Sequence, residues 1–315
     1  MTKLDLNKKY SVRTDLACEN GFFKKIKEQA SSINKKGIII NKYQDEDSDA
    51  LYYNIDTRAI KTHDTDDLNN CIEVLSEVLN EIIDKSNIQK NAKCLVVGLG
   101  NINVTPDSLG PLVCDNVIVT RHMFITNDEE VSKGISEVSA LAPGVMGTTG
   151  IETYDIIDAI VGKVDIDFII VVDALAARSI ERVNKTIQIT NAGITPGSGV
   201  GNSRKELSFK TIGKPIIAIG VPTVVDAVTI ANDTIDIIMK YLSEHNPENK
   251  EKLFGIIGEL TNEDKRMLID EILTDSGFNM IVTPKEVDID INDLTHIISG
   301  AIDRTLHPLV NNDAS

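Results

Sequence analysis

Two aspartates stand where buried strands are predicted to end, and they are the residues of this sequence best placed to do chemistry. Asp107 follows the apolar run 94–98 and a glycine-containing loop, and Asp173 comes directly after the apolar run 168–172. Two carboxyl groups suit general acid–base chemistry, because one can hold a proton while the other accepts one. When such groups lie close together, like-charge repulsion keeps one of them protonated. The sequence therefore predicts a shared acid pair made of Asp107 and Asp173.

Each aspartate also has a purely structural interpretation. Asp107 follows Thr105 and Pro106 in a typical helix start, where an acid complements the helix dipole. Asp173 has the position of an N-cap for a helix that begins at Ala174. Because a helix start favours the ionised carboxylate, Asp107 is the expected general base. A binding scaffold in which both aspartates only cap helices is the non-enzymatic alternative.

An alternating series of strands and helices is expected to position these aspartates. Apolar runs and helical periodicity predict strands near 94–98, 135–141, 167–172, 185–190 and 215–221, and helices near 66–86, from 107, and near 152–161, 174–183 and 226–243. This alternation favours an α/β fold, a three-layer sandwich with a mostly parallel central sheet. In such folds the reactive crevice lies at the carboxyl ends of the strands, so both aspartates are expected on one rim.

The two ends of the chain are expected to differ from this central part. Residues 1–15 are interpreted as an N-terminal arm, 16–245 as the α/β domain and 246–315 as a helical C-terminal part packed on it. Helices are predicted near 248–258, 262–273 and 291–305, and short strands and turns between 35 and 65.

Composition excludes several classes of protein. The chain has 315 residues and a formal net charge of −16, which disfavours binding to nucleic acid or to an anionic membrane. The N-terminus lacks the apolar segment of a signal peptide and no apolar run is long enough to span a membrane, so a cytoplasmic protein is expected. Four scattered cysteines predict free thiols rather than a disulfide framework. Glycine spacing fits neither a dinucleotide fingerprint nor a P-loop, and no cofactor is expected.

Two glycine-rich loops are candidate substrate-binding segments. The loop 142–150 follows a predicted strand and opens a helix, so its backbone N–H groups are hypothesised to hold a substrate carbonyl or oxyanion. Its alternative role is that of a plain connector. The loop 195–202 is expected to shape the cleft. The residues of these loops proposed for substrate binding are Gly144, Gly147, Thr148, Gly150, Gly197 and Gly199.

Several long strings of this sequence resemble the germination protease family of spore-forming bacteria, an atypical group of aspartic endopeptidases. These strings are 10–17, 98–111, 142–147, 149–153, 173–178 and 191–202. The resemblance implies an endopeptidase made as a zymogen, which degrades the small acid-soluble proteins of the spore core during germination. It also implies a homotetramer, and it matches Asp107 and Asp173 to the catalytic aspartates of the family.

The implied fold is similar to that of hydrogenase maturation proteases, which share the Gly-x-Gly-Asn opening and bind nickel through carboxylates and a histidine. Pro143 and Gly144 stand where a second acidic ligand is expected in those relatives. The resemblance therefore implies no metal in this chain. A nickel-recognising protease of the maturation type is the alternative function.

The string Thr14-Asp15-Leu16-Ala17 resembles the acidic, aliphatic, alanine pattern at which the family cuts its substrates. Self-cleavage between Asp15 and Leu16 is the resulting hypothesis, and residues 1–15 would then be a propeptide. The alternative is an ordinary frayed terminus. Because a strongly acidic chain does not attract acidic cleavage sites from a distance, recognition must be local. The candidates for pairing with acidic side chains of the substrate are Arg178 and Arg204, and further candidates are Arg121 and Lys205.

Overall fold

The computed structural model describes residues 15–16, 31–45, 50–57, 62–125, 134–197, 204–245 and 280–308. The strands are β1 (Ser31–Lys35), β2 (Ile38–Gln44), β3 (Leu51–Asp56), β4 (Cys94–Gly98), β5 (Val138–Leu141), β6 (Phe168–Ala177), β7 (Thr186–Thr190), β8 (Ile216–Asp226) and β9 (Ile281–Val282). The helices are α1 (Thr65–Lys85), α2 (Leu109–Asn116), α3 (Arg121–Ile125), α4 (Met146–Thr149), α5 (Thr153–Val161), α6 (Phe209–Ile212), α7 (Ala227–His245) and α8 (Val287–Leu306). Two 3-10 turns lie at Thr105–Asp107 and Ile180–Arg182.

The strands of the described residues form one mixed sheet in the order β1-β2-β3-β7-β8-β6-β4-β5, with β9 paired to the end of β8. The pairs β4–β5, β4–β6 and β6–β8 are parallel, whereas β1, β2, β3, β7 and β9 pair antiparallel. The prediction of a mostly parallel sheet is therefore wrong for half of it. Its N-terminal part is a meander whose first turn places Lys36 and Gly37 at positive φ, and such tight turns join only antiparallel strands.

Alternate residues of the central strands face two different cores. Val96 and Ile170 point into a core shared with α1, α2 and α8, whereas Leu95 and Ile169 point into a second core shared with α5 and α6. The sheet is thus covered by helices on both faces, and β4 and the first half of β6 are continuous apolar runs because both of their faces are buried. The α/β class and the three layers agree with the sequence-based expectation.

Strands β6 and β8 run further than predicted. The helix expected at 174–183 is absent, because residues 173–177 continue β6 and pair with β8 as far as Ala177 opposite Val225. The alanine- and leucine-rich segment has high helix propensity, but pairing and apolar packing along β8 outweigh that preference. Strand β8 likewise ends at Asp226 rather than near 221.

The C-terminal residues contribute a helix and a short strand. Helix α8 packs on α1 and α2 through buried residues such as Leu294 and Ile298, close to the helix predicted at 291–305. The expectation of helices alone after residue 247 is wrong, because β9 joins the sheet there. The helices predicted near 248–258 and 262–273 lie outside the described residues, and the domain boundaries remain a prediction.

The cysteines that the structure describes, Cys71, Cys94 and Cys114, are buried free thiols. Cys18 lies outside the described residues. Of the helices described here, none combines the length and the apolar character needed to cross a membrane.

Candidate active site

A close approach between two chain segments delivers Asp107 to the end of β4. A Cβ atom on Gly98 would lie 2.0 Å from the carbonyl oxygen of Gly110, so any larger residue there would push α2 away from β4. The N–H of Leu99 donates to the carbonyl of Val172 on β6 at 2.8 Å. The loop that leaves β4 is therefore held against the neighbouring strand β6, and Asp107 stays at this edge of the sheet.

The Asp107 carboxyl group is fixed by its own loop. Its Oδ2 accepts a hydrogen bond from the N–H of Asn101 at 2.8 Å. The preceding Gly100 has φ of 116°, and a Cβ atom there would lie 2.0 Å from the carbonyl oxygen of Asp107. Asp107 closes a 3-10 turn, and α2 begins only at Leu109. Burial raises the pKa of Asp107 to about 6, and the hydrogen bond from Asn101 offsets only part of this effect.

Asp173 is the first residue of β6 beyond its pairing with β4, which ends at Gly98 opposite Val172. The side chain is buried, with 6% of its residue surface exposed. Because Asp173 is internal to β6, the interpretation of this residue as a helix cap is wrong. Burial raises the pKa of Asp173 well above its ordinary value, and the negative charges of Asp107 and then Asp15 raise it further. The N–H of Ala174 acts weakly in the opposite direction.

The two aspartates therefore lose their protons in a definite order. Asp107 has a pKa of about 6 and ionises first, and its charge adds to burial in holding the pKa of Asp173 well above its ordinary value. This is the order expected from the sequence, but the cause is different. The order depends on the deeper burial of Asp173 beside a charged neighbour and not on a helix dipole at Asp107. One group can accept a proton where the other can donate one.

The arm residues Asp15 and Leu16 lie beside this pair. The N–H of Asp15 donates to the carbonyl of Ala176 at 3.0 Å, and the N–H of Ala176 donates to Oδ2 of Asp15 at 3.0 Å. These bonds occupy the edge of β6 that β4 leaves uncovered. Leu16 has 0% of its surface exposed and packs with Leu175, Ala177, Val183 and Val225.

The glycine-rich loop 142–150 lies at the end of β5, on the same edge of the sheet. Gly144 and Gly150 have positive φ and flank the single-turn helix α4. The N–H groups of Thr148 and Gly150 donate to the carbonyls of Val145 and Met146. The turn itself therefore uses these two N–H groups, and a role of Thr148 and Gly150 in substrate binding stays a prediction. Gly147 has open space around it, and its role in substrate binding stays a prediction.

Arg204 joins the second glycine-rich loop to the first. Its guanidinium donates to Sδ of Met146 at 3.4 Å and lies 3.9 Å from the carboxylate of Glu152. Gly197, at positive φ, lies in the same segment, and Gly199 lies outside the described residues. Arg178 instead lines a cavity of about 90 Å³ together with Val225, Thr229, Ile230 and Asp233. Val225 also contacts the Leu16 cluster, so Arg178 is the basic candidate nearest the arm.

Two of the other basic candidates have structural roles. Arg121 forms an ion pair with Glu137, beside the amino ends of β4 and β5 and thus at the opposite edge of the sheet from Asp107. Lys205 places its ammonium 3.4 Å from the centre of the Tyr154 ring. Arg121 therefore lies away from the two aspartates, and its role in substrate binding stays a prediction.

Sequence reasoning missed the backbone groups that hold the site together. The N–H of Asn101 and both backbone groups of Ala176 make the hydrogen bonds described above. Gly100, directly before Asn101, was a usable signal, because a glycine forced to positive φ marks a close approach of backbone. No comparable signal marks Ala176.

Within the parts of the chain that the structure describes, no three His, Cys, Asp or Glu side chains form a group that could hold a metal ion. The carboxylates of Asp107 and Asp15, whose charges act on Asp173, each accept a backbone N–H. The residues present here fit an acid pair better than a metal centre.

A profile of the family described as germination protease matches residues 6–252 and 244–315, which is almost the whole chain. The chain belongs to the germination protease family. It is 42% identical to the germination protease of Bacillus licheniformis over 99% of this chain and 97% of that protein. The germination proteases of Priestia megaterium and Bacillus velezensis are each 43% identical over the same shares. Membership of this family makes the chain a protease of spore germination and does not favour the nickel-recognising alternative.

Proposed function

We propose that this chain is an endopeptidase made as a self-processing zymogen, which uses Asp107 and Asp173 to activate water. One observation carries the proposal: the buried Asp173 lies close enough to Asp107 for the charge of Asp107 to raise its pKa, and the arm residues Asp15 and Leu16 dock at the same place. General acid–base hydrolysis needs one group that accepts a proton and one that donates a proton, and two carboxyl groups with different pKa values can supply both.

The proposed reaction is a direct attack of water on the scissile carbonyl. Asp107 takes a proton from the water, whose oxygen bonds to the carbonyl carbon. Asp173 polarises the carbonyl oxygen and then protonates the leaving amine as the C–N bond breaks. No covalent acyl-enzyme forms. The chemistry requires no cofactor, and none is proposed.

Docking of the arm supports self-cleavage between Asp15 and Leu16. Two hydrogen bonds with Ala176, one from the N–H of Asp15 and one to its side-chain carboxylate, hold the residue before this bond against β6. The buried Leu16 side chain fixes the residue after it. Both restraints act on the residues that flank the Asp15–Leu16 peptide bond. In addition, the negative charge of Asp15 raises the pKa of Asp173. Residues 1–15 would then be the propeptide.

The proposed substrates are the small acid-soluble proteins of the spore, degraded in the spore core at germination. A cleft that binds an extended segment needs a substrate that is unfolded when free, and such proteins meet this need. Arg178 is proposed to pair with an acidic substrate group beyond the Leu16 cluster, and Arg204 with another near α4. We propose a homotetramer, without nucleic-acid or membrane partners.

The test is to incubate the purified full chain over a series of pH values and to follow its intact mass. We expect a product that begins at Leu16. Its rate of formation should rise as the pH increases through about 6, because Asp107 must lose its proton to act as base. A mass that does not change at any pH, or a cut elsewhere in the arm, would contradict the proposal.

A further inference from the structure

The pairing of β6 with β8 slips by one residue close to the aspartates. Leu175 pairs with Pro222 and Ala176 with Val224, so Thr223 on β8 is the extra residue of a bulge. A bulge turns the side chain of its extra residue away from the regular alternation, and bulges are frequent beside active sites. Here the turned side chain belongs to a residue that is 1% exposed.

The Thr223 hydroxyl reaches the turn that carries Asp107. Its Oγ1 donates a hydrogen bond of 2.6 Å to the carbonyl oxygen of Pro106, which belongs to the peptide group between Pro106 and Asp107. The other bonds given above for this turn are local to its loop. The Thr223 bond comes from a residue 117 positions away and ties the turn to the central sheet.

A second threonine supports the first. Oγ1 of Thr283, which follows β9, donates to the backbone carbonyl of Thr223 at 2.8 Å. The bonds thus run from β9 through the bulge to the Pro106–Asp107 peptide. Asp173 also lies on β6, opposite Gly220 of β8 and close to the slip in the pairing.

We propose that Thr223 is a positioning residue for Asp107, and that Thr283 acts through it. The inference rests on the proposed function, in which the rate depends on how Asp107 is aligned with the water and with Asp173. A small misplacement of such a group lowers the rate by up to about 100-fold. Loss of the hydroxyl should therefore slow the chemical step and leave substrate binding almost unchanged.

The test uses the full chain after self-processing, with a synthetic peptide that reproduces residues 10–21 as substrate. In Thr223→Val we expect kcat to fall about 10- to 100-fold and KM to stay within about twofold of the wild-type value. Thr223→Ser, which keeps the hydroxyl, should restore kcat to within about threefold. Thr283→Val should lower kcat by a smaller factor.

Thr57→Val is the matched control. Thr57 is also 1% exposed, and its Oγ1 has no hydrogen-bond partner among the residues that the structure describes, so this variant removes a buried hydroxyl without breaking a described hydrogen bond. If Thr223→Val keeps the wild-type kcat, or if Thr223→Ser is as slow as a folded Thr223→Val, the positioning role of Thr223 is wrong; if Thr283→Val keeps the wild-type kcat, Thr283 does not act through it. Wild-type protein that cleaves neither itself nor the peptide contradicts the proposed function instead.

Discussion

Replacing Asp107 or Asp173 by asparagine should abolish proteolysis in a chain that still folds. Removing one member of an acid–base pair typically lowers the rate by about 10²- to 10⁴-fold, and we expect at least 10³-fold here because each residue acts at more than one step. Asparagine keeps the shape of aspartate and an oxygen that can accept the N–H of Asn101. The measurement is the rate of peptide hydrolysis, with circular dichroism to confirm folding.

The Asp107→Asn variant should not lose stability at neutral pH. The folded-state pKa of Asp107 lies above its ordinary value, so the protonated form is favoured by folding. The stability that this provides is present at acidic pH and is lost as the pH rises through about 4 to 6. At pH 7 the folded chain bears the cost of burying an ionised carboxylate. A neutral asparagine removes that cost, and the free energy of unfolding at pH 7 should rise by up to about 2 kcal/mol.

Asp303→Asn is a matched control. Burial raises the pKa of Asp303 to about 6 as well, and its carboxylate likewise accepts a backbone N–H, from Ile118. The control should show the same gain in stability and full proteolytic activity. If all three variants lose activity, or if none does, Asp107 and Asp173 do not form the catalytic pair.

Leu16→Asp should block self-cleavage and open the cleft at the same time. A carboxylate cannot replace a fully buried leucine among Leu175, Ala177, Val183 and Val225 without a large desolvation cost, so the arm should leave its docking position. We expect the rate constant of self-cleavage to fall at least 100-fold. Cleavage of the 10–21 peptide added to the same chain should persist or increase, because the arm no longer covers Ala176.

Two further variants make this result specific. Leu16→Ile keeps an aliphatic side chain and should still be processed, within about fivefold of the wild-type rate. Ile33→Asp adds the same charge at an exposed apolar position of β1 and should leave processing unaffected. A Leu16→Asp chain that is cut after Asp15 at the wild-type rate would mean that docking of Leu16 plays no part in the reaction.

The sequence predicted the parts of the site that depend on local patterns. The apolar run of β4 and the glycines at and after its end, Gly98 and Gly100, can be read directly from the sequence. In the structure both glycines lie where the backbone of another segment comes close. The antiparallel meander was missed, because pairing partners are not encoded in local periodicity. The helix expected after Asp173 was also wrong, since pairing with β8 decides the conformation of residues 174–177.

The least predictable features are those that depend on the register in which distant strands pair. Thr223 becomes special only because β6 and β8 slip by one residue, and no single sequence shows a slip between two distant strands. The edge of β6 that receives Asp15 exists only because β4 ends five residues earlier in the sheet. The family resemblance indicated the Asp15–Leu16 bond, but only the fold explains why that segment lies beside Asp173.

The most direct test of the shared acid pair is a pH titration of the Asp173 carboxyl carbon by ¹³C NMR, in wild-type protein and in Asp107→Asn. We predict that Asp173 stays protonated through neutral pH, and that its pKa falls by about one unit or more when the charge of Asp107 is removed. Asp303→Asn should leave the titration of Asp173 unchanged. An Asp173 that titrates near its ordinary value of 3.8, or whose pKa is the same with and without the charge of Asp107, would contradict the account.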